Sequence, residues 1–252
     1  MESSLGDLNI KFSFFPAVDG SQLDPEVSAK LRVGPCLRDY GRTLTPNEIG
    51  CVASYQTVLK SIADGNDPYV CVLEDDALPT SMFPLALSRQ WLDTLPRFDI
   101  LRLVSLPGRL QRTPYIPVTS LDHHAVVAPV HRGFLATGQI ITRECAKRLL
   151  TSLVPVTGPI DNMLYRDPVI PLRVLETRPG VVMFDTDHKS QMDGREEALQ
   201  RARQNRRPRD VLMRIVSKGM TRFKDWHTFI GVWGIKSVFA IRWPFLLHSK
   251  VG

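Results

Sequence analysis

The sequence has few cysteines, and no two of the four form a C-x-x-C pair. This spacing argues against a zinc ribbon or a redox motif. The opening Met1-Glu2-Ser3-Ser4 lacks the basic and apolar regions of a signal peptide. The sequence contains no internal repeat and no recognised nucleic-acid-binding module. We therefore expect a protein of a reducing compartment, located in the cytoplasm.

Charge is unevenly distributed along the 252 residues. The whole chain carries a net charge of +6, whereas residues 201–252 combine twelve Lys or Arg with two acids, Asp210 and Asp225. This segment therefore carries +10 and the first 200 residues carry −4. A basic tail on a neutral-to-acidic body indicates an anionic surface as partner, either phospholipid or nucleic acid. We divide the chain into a body, residues 1–200, and a tail, residues 201–252.

Strands and helices are predicted to alternate through the body, which indicates an α/β layer architecture. Thr45-Pro46-Asn47-Glu48 is typical of a helix start with a capping box. The apolar run 69–73 predicts a strand that is buried on both faces, in a parallel or mixed sheet covered by helices. Further strands are predicted at residues 12–15, 98–103, 133–141, 169–175 and 181–184, and a further helix at 145–153.

Three acids, Glu74, Asp75 and Asp76, directly follow the predicted strand 69–73. Ligands of open α/β sheets bind beyond the carboxyl ends of the strands. Adjacent carboxylates repel one another, and a hard divalent cation with oxygen ligands neutralises them. Such a cation, Mn²⁺ or Mg²⁺, could bridge the phosphates of a substrate diphosphate. The alternative is a solvated acidic turn that caps a helix beginning near Pro79.

A series of short motifs accompanies the acids, and their order is more specific than any one of them. The motifs are Phe15-Pro16-Ala17-Val18-Asp19-Gly20, residues 44–51 with Ser54, Val72-Leu73-Glu74-Asp75-Asp76, residues 99–103, Thr137-Gly138 with Ala146 and Leu149-Leu150, and Pro159-Ile160-Asp161. Together they span residues 14 to about 190. The series resembles glycosyltransferase family 25, the lipopolysaccharide and lipooligosaccharide glycosyltransferases.

The resemblance implies a GT-A-like fold, a Rossmann-type mixed sheet flanked by helices that binds a UDP-sugar. It further implies metal-dependent, inverting transfer of a hexose, galactose, to a lipopolysaccharide or lipid-linked saccharide acceptor. Alternatives are another donor, a collagen-type or other protein acceptor, and an inactive homologue that binds nucleotide sugar. Carried onto this sequence, the donor and its diphosphate contact Glu74, Asp75, Asp76, Thr137 and Gly138.

The metal ligands implied by the resemblance are Asp75 and Asp76, with His188 as a further metal or phosphate ligand. His188 could equally be an exposed loop histidine, and the pair His123-His124 is interpreted as a loop. An inverting transferase needs a base for the acceptor hydroxyl. Asp161 is our candidate base, and its alternative is a helix N-cap.

Two features depart from the family pattern. Members usually open with a strand before the helix with which this chain starts, and the body is expected to lack that strand. Either the start is misassigned or truncated, or the chain lacks part of the nucleotide pocket. The family often has Ser-His where this chain has Ser54-Tyr55, and a tyrosine is no base at neutral pH. Glu48 could be a site residue, although we favour the capping-box acid.

The tail combines apolar and cationic residues at helical spacing. Its apolar positions are Leu212, Val216, Gly219, Phe223, Trp226, Ile230 and Trp233, and its cations include Arg214, Lys218 and Arg222. This pattern is typical of an interfacial helix, and we expect an anionic membrane surface to be bound through residues 211–247, at the inner face of the membrane. The alternative is packing on the body or on a second subunit of a homo-oligomer. We expect no nucleic-acid partner.

Overall fold

A mixed β-sheet lies at the centre of the computed structural model, which describes residues 2–31, 44–104, 113–131, 135–166, 170–184 and 223–242. Its strands are β1 (Tyr69–Leu73), β3 (Ile100–Arg102), β4 (Tyr115–Leu121), β5 (His124–Pro129), β6 (Gly138–Thr142) and β7 (Val174–Arg178). A second, two-stranded sheet pairs β2 (Ala77–Pro79) with β8 (Val182–Phe184). The predicted α/β class with a mixed sheet is confirmed.

The helices lie on both faces of this sheet. They are α1 (Glu2–Asp7), α2 (Pro25–Leu31), α3 (Pro46–Asp64), α4 (Phe83–Ala86), α5 (Arg89–Leu92), α6 (Arg143–Ser152) and α7 (residues 223–233). Short 3₁₀ segments occupy Gly20–Gln22 and Ile235–Ala240, and a π-helical turn occupies Asn162–Arg166.

The strand order in the central sheet is β1-β6-β3-β7-β5-β4. Only β3 and β7 run parallel as neighbours, because β6 is antiparallel to both β1 and β3. Strands β1, β3 and β7 therefore point the same way, and their carboxyl ends share one edge of the sheet. The three acids follow β1 at that edge.

Strand β1 forms where the sequence predicts a strand and packs against a core on each face, but its residues are less buried than predicted. It lies at the end of the strand order, and all five of its residues are only partly buried. A continuous apolar run indicates burial against neighbours, but it does not say which neighbours the strand has.

Each face of the central sheet has its own hydrophobic core. One core contains side chains of α3, α6 and the π-helical turn, together with Ile100, Ile141 and Val174 of the sheet. The other contains side chains of the short helices α1, α4 and α5, together with Leu101, Ile140 and Leu175. The alternation along β3, β6 and β7 is that of strands buried on both faces.

Helix α3 begins as the sequence predicts, with a complete capping box between Thr45 and Glu48. Glu48 is buried and accepts the backbone N–H of Thr45 at 2.9 Å, which supports its interpretation as the capping acid. One turn later, Gly50 contacts the backbone of the Val18–Gly20 segment. A Cβ at Gly20 would lie 1.7 Å from the carbonyl oxygen of Pro46, and a Cβ at Gly50 would lie 2.5 Å from that of Val18.

One predicted strand does not form, one hairpin was not predicted, and the strand predicted at residues 169–175 begins only at Val174. Residues 12–15 form no strand; their backbone is irregular, and Phe12, Phe14 and Phe15 are exposed. The β4–β5 hairpin was not predicted, and it places His124 at the start of β5, where its ring Nδ1 lies 2.7 Å from the carbonyl oxygen of Pro179. His123 does lie in the connecting turn.

The described part of the tail packs against the body. Phe229 of α7 is 2% exposed and belongs to the second core, with Trp226 and Trp233 partly buried beside it. The ring Nδ1 of His131 lies 3.0 Å from a carboxylate oxygen of Asp225, and Tyr115 and Arg242 form a β-bridge. Residues 185–222 and 243–252, with His188 and the first half of the predicted amphipathic helix, lie outside the described residues.

Candidate active site

Glu74 is held where β1 ends by three hydrogen bonds. Its backbone N–H donates to the carbonyl oxygen of Thr137 at 2.8 Å, and its own carbonyl oxygen accepts the N–H of Ala77 at 3.1 Å. The Thr137 hydroxyl donates to Oε2 of Glu74 at 3.2 Å. Glu74 therefore continues the β1–β6 ladder by one residue, with its side chain tied to the start of β6.

The carboxyl group of Glu74 is electrostatically strained. Burial, together with the charges of Asp76, Asp161 and Asp75, raises its pKa from 4.5 to about 7, and the hydrogen bond from the Thr137 hydroxyl opposes this rise. Asp75 is exposed, and Oδ1 of Asp76 is buried. Three acids from two distant parts of the sequence thus act on Glu74 at the carboxyl edge of the sheet.

Asp161 reaches this edge from the helical turn after α6. It lies within the helical stretch 160–166, which ends in the π-helical turn, rather than before that stretch, and its Oδ1 accepts the backbone N–H of Asn162 at 2.8 Å. The first carbonyl of the turn, that of Pro159, accepts the N–H groups of Asn162 and Met163. The position therefore differs from the N-cap that was the alternative, and the side chain lies close enough for its charge to raise the pKa of Glu74.

Thr137 and Gly138, expected to contact a donor, are both buried. Thr137 is 1% exposed and its hydroxyl bonds Glu74. Gly138 pairs with Leu73, and a Cβ there would lie 3.1 Å from Cγ1 of Val182. Both residues thus lie beside the end of β1 from which the acids follow, and their contact with a donor stays a prediction.

The acids fit a divalent cation only with help from a substrate. Across the described residues, no three His, Cys, Asp or Glu side chains are placed to hold an ion together. Mg²⁺ sites commonly need only one or two carboxylates, because substrate phosphates and water complete the shell. The oxygen donors of Asp75 and Asp76 fit an ion that binds together with a diphosphate.

A buried row of polar side chains crosses the sheet beside the acids, and sequence analysis missed it. We call Gln139, Arg102 and Glu176 the polar row, because they are direct partners on β6, β3 and β7. All three are buried, and an Arg102 Nη1 atom lies 3.7 Å from Oε2 of Glu176. A polar residue within each of the runs Ile-Leu-Arg and Gly-Gln-Ile-Ile is the signal that could have revealed the row.

Two buried tyrosines cover the polar row. The Gln139 side chain donates to the Tyr55 hydroxyl at 2.7 Å and accepts the Tyr165 hydroxyl. Burial, with the charge of Glu74 second, raises the pKa of Tyr55 well above 10, so this hydroxyl stays protonated. The guanidinium of Arg102 lies 4.5 Å from the centre of the Tyr165 ring.

The fold and the candidate site together define an α/β protein with an acidic cluster at the carboxyl edge of its sheet. Comparison with known families agrees with the motif series. The profile of glycosyltransferase family 25, described as an LPS biosynthesis protein, matches residues 1–164. The chain belongs to glycosyltransferase family 25.

Three relatives show the range of proteins that share this region. A glycosyltransferase 25 family member of Aedes aegypti is 34% identical over 177 residues, which are 68% of this chain and 28% of the relative. A procollagen lysyl hydroxylase and glycosyltransferase of Acanthamoeba polyphaga mimivirus is 25% identical over 63% of this chain and 17% of its own length. A probable inactive glycosyltransferase 25 family member 3 of Rattus norvegicus is 28% identical over 68% and 30%. The chain thus matches less than a third of each relative.

Proposed function

We propose that this chain is a metal-dependent inverting glycosyltransferase that moves a hexose, galactose, from a UDP-sugar to a lipopolysaccharide or other lipid-linked saccharide. The observation that carries the proposal is the meeting of Glu74, Asp75 and Asp76 with Asp161 at the carboxyl edge of the sheet. Membership of glycosyltransferase family 25, whose description is LPS biosynthesis protein, supports the saccharide acceptor.

The carboxylates of the site have separate tasks in this proposal. Asp161 accepts the proton of the acceptor hydroxyl as that oxygen bonds to the sugar carbon, while the bond from the same carbon to UDP breaks on the opposite face. Asp75 and Asp76 would hold Mn²⁺ or Mg²⁺, which supplies positive charge to the departing diphosphate. Glu74, fixed by Thr137, positions the neighbouring carboxylates.

A protein acceptor is the second candidate, because one relative is named a procollagen lysyl hydroxylase and glycosyltransferase. An inactive, nucleotide-sugar-binding chain is the third, because another relative is named as probably inactive. The three candidates differ in what the purified chain does with a labelled donor.

The experiment incubates the chain with radiolabelled UDP-galactose, UDP-glucose or UDP-N-acetylglucosamine, with Mn²⁺ or with a chelator. Lipooligosaccharide and a procollagen-type peptide are offered as acceptors in parallel. Metal-dependent label on the saccharide supports the proposal, and label on the peptide alone supports the second candidate. UDP-sugar binding without transfer or hydrolysis supports the third, and the absence of both binding and turnover contradicts all three.

We also propose that residues 211–247 bring the chain to the anionic inner surface of a membrane. None of the helices in the described part of the chain combines the length and apolar character needed to cross a membrane. Although Phe229 is buried, Phe223, Ile235 and Phe239 are 73%, 71% and 90% exposed. Lys224 and Lys236 are exposed next to them in the sequence. Exposed apolar side chains flanked by cations support contact with an anionic lipid surface.

Co-sedimentation of the full chain with phosphatidylserine or phosphatidylcholine vesicles tests this location. We expect binding to the anionic vesicles that falls as salt rises, since each Lys or Arg contributes about 1 kcal/mol, screened by ions. Phe239→Ser should weaken binding at every salt concentration, whereas Thr57→Ser, an exposed change on α3, should not. A chain that ignores anionic vesicles at low salt, or a dimer that buries Phe239, contradicts the proposal.

A further inference from the structure

Three consecutive carbonyl groups beside the acidic cluster each accept a hydrogen bond from a different element. The carbonyl of Leu135 accepts from Nη2 of Arg102 at 3.4 Å, and that of Ala136 accepts from the Tyr55 hydroxyl at 3.2 Å. The carbonyl of Thr137 accepts from the backbone N–H of Glu74 at 2.8 Å. We call residues 135–137 the carbonyl strip. Strand β3, helix α3 and the end of β1 all hold it.

The carbonyl strip begins in a strained conformation. Leu135 has a φ of 86°, in the left-handed region that a residue with a branched side chain rarely adopts. Such a conformation costs free energy by itself. It persists only where contacts with the surrounding structure hold the backbone in it. The guanidinium of Arg102 is fully buried and bonds the carbonyl of this residue, so the strain and one of the contacts that fix it are adjacent.

The same buried groups extend to the other half of the site. The Tyr55 hydroxyl is bonded to Gln139, and Gln139 is bonded to the Tyr165 hydroxyl. Tyr165 lies one turn after Asp161 in the helical turn, and its ring faces the guanidinium of Arg102. One connected network therefore touches the segment that holds Glu74 and the segment that carries Asp161.

We propose that Tyr55 and Arg102 are positioning residues, which fix the carbonyl strip and thereby the distance between the Glu74–Asp76 carboxylates and Asp161. The inference rests on the proposed function in one respect, namely that these carboxylates are the reacting site. Neither residue touches substrate. Their effect passes from the strip through Thr137 to Glu74, and through Gln139 and Tyr165 to the turn of Asp161. Displacement of reacting groups by about 1 Å can cost about 10²-fold in rate.

The main test is Tyr55→Phe, which removes one hydroxyl and keeps the ring. Tyr69→Phe is the matched control, because Tyr69 begins β1 at the end opposite Glu74 and its hydroxyl bonds Asp93 in an exposed position. Ile62→Val, a small truncation in the buried part of the same helix as Tyr55, controls for a general loss of stability. Hydrogen exchange followed by mass spectrometry reports on peptides that cover residues 135–142 and 70–78.

In Tyr55→Phe we expect exchange to become at least about 10-fold faster in both peptides, with no change in Tyr69→Phe. We expect kcat to fall about 10- to 100-fold with the KM for the UDP-sugar within about twofold of wild type. Ile62→Val should lower the Tm without a selective fall in kcat at nearly constant KM. Unchanged exchange in the two peptides, or equal changes in kcat and KM, overturns the proposal.

Arg102→Lys is the second variant, because it keeps the buried charge and loses the planar fork that reaches the strip. We expect Arg102→Lys to speed hydrogen exchange in the 135–142 peptide as much as Tyr55→Phe does. Tyr165→Phe should speed it less. If both exchange patterns appear in a chain that neither transfers nor hydrolyses any UDP-sugar, the proposed function fails, and the inference stands only in its structural part, that Tyr55 and Arg102 fix the carbonyl strip. If the wild type transfers sugar and both variants match it in kcat, the positioning inference fails alone.

Discussion

The two faces of the central sheet differ in the polarity of one row of register partners across the strands. On one face, Cys71, Ile140, Leu101 and Leu175 are register partners across four strands and are all apolar. On the other face, the row of Ile141, Ile100 and Val174 is apolar as well, whereas the next row toward the carboxyl edge is the polar row. Buried charge and amide groups cost free energy unless they are paired. The central sheet carries that cost in the polar row beside the acidic site, whereas its apolar rows serve stability, so the sheet has a site side and a stability side.

Asp76→Asn should give the largest effect on the site side of this division. We expect transfer to fall by about 10³-fold, several kcal/mol of transition-state stabilisation, because a ligand of the diphosphate-bound cation is lost. The Tm should not fall, since a repelling charge has been removed. Turnover and thermal melts measured beside Asp67→Asn, an exposed change before β1, separate the two effects. Near-native manganese-dependent turnover would contradict the metal proposal.

Phe229→Ala tests the stability side. We expect the free energy of unfolding to fall by about 3–5 kcal/mol, as for other buried phenylalanines, because the side chain fills the second core. The kcat per folded molecule should stay unchanged. Phe223→Ala, an exposed residue at the start of the same helix, should change the free energy of unfolding by about 0.5 kcal/mol or less in denaturant titrations. Equal effects at the two positions would mean that α7 does not pack on the body in solution.

Asp161→Asn should reduce kcat by about 10²-fold or more, the usual contribution of a general base, with donor affinity nearly unchanged. Single-turnover kinetics and UDP-sugar titration measure the two quantities separately. Asp64→Asn, an exposed carboxylate at the end of α3, is the control. A matched fall in donor affinity would assign Asp161 to donor binding instead.

Glu74→Gln should have the smallest effect and a distinctive pH dependence. Because the pKa of Glu74 is raised to about 7 in the folded state, ionisation of this carboxyl group opposes folding. The stability that the protonated group contributes to the wild type is fully present below pH 4.5 and is lost as the pH rises to about 7. The variant should therefore match the wild type near pH 4 and exceed it above pH 7, by on the order of 2 kcal/mol. Denaturant titrations in chelator from pH 4 to 8 measure the difference. Parallel curves would place Glu74 in a more solvated site than the structure indicates.

Local signals in the sequence predicted local structure well. The capping box of α3 depends on residues three apart, and strand β1 depends on five consecutive β-formers, so both could be identified from the sequence. The β4–β5 hairpin could not, because its turn contains Asp122-His123 in place of Asn-Gly or Asp-Gly, and Pro117 with a register shift interrupts β4. The turn nevertheless forms, with Asp122 at a φ of 52°.

The site was predicted only in part, for a similar reason. Glu74, Asp75 and Asp76 are adjacent in the sequence, and Asp161 came from the motif series. The polar row could not be assembled, because Arg102, Gln139 and Glu176 meet only through strand register. The same applies to β1, whose place at the edge depends on which strands pair rather than on its composition.

The contact between Gly20 and Gly50 couples the effects of substitutions at two positions that are distant in the sequence. Each lacks room for a methyl group for the same reason, the approach of the 18–20 backbone to the first turns of α3. Once either glycine is replaced by alanine and the two backbones separate, the second replacement meets open space and adds little. The free-energy changes of the two single variants should therefore sum to well over that of the double variant. For the lineage of this chain, this is epistasis: the first substitution carries nearly the whole loss, and a reversion at one position restores little while the other is still changed.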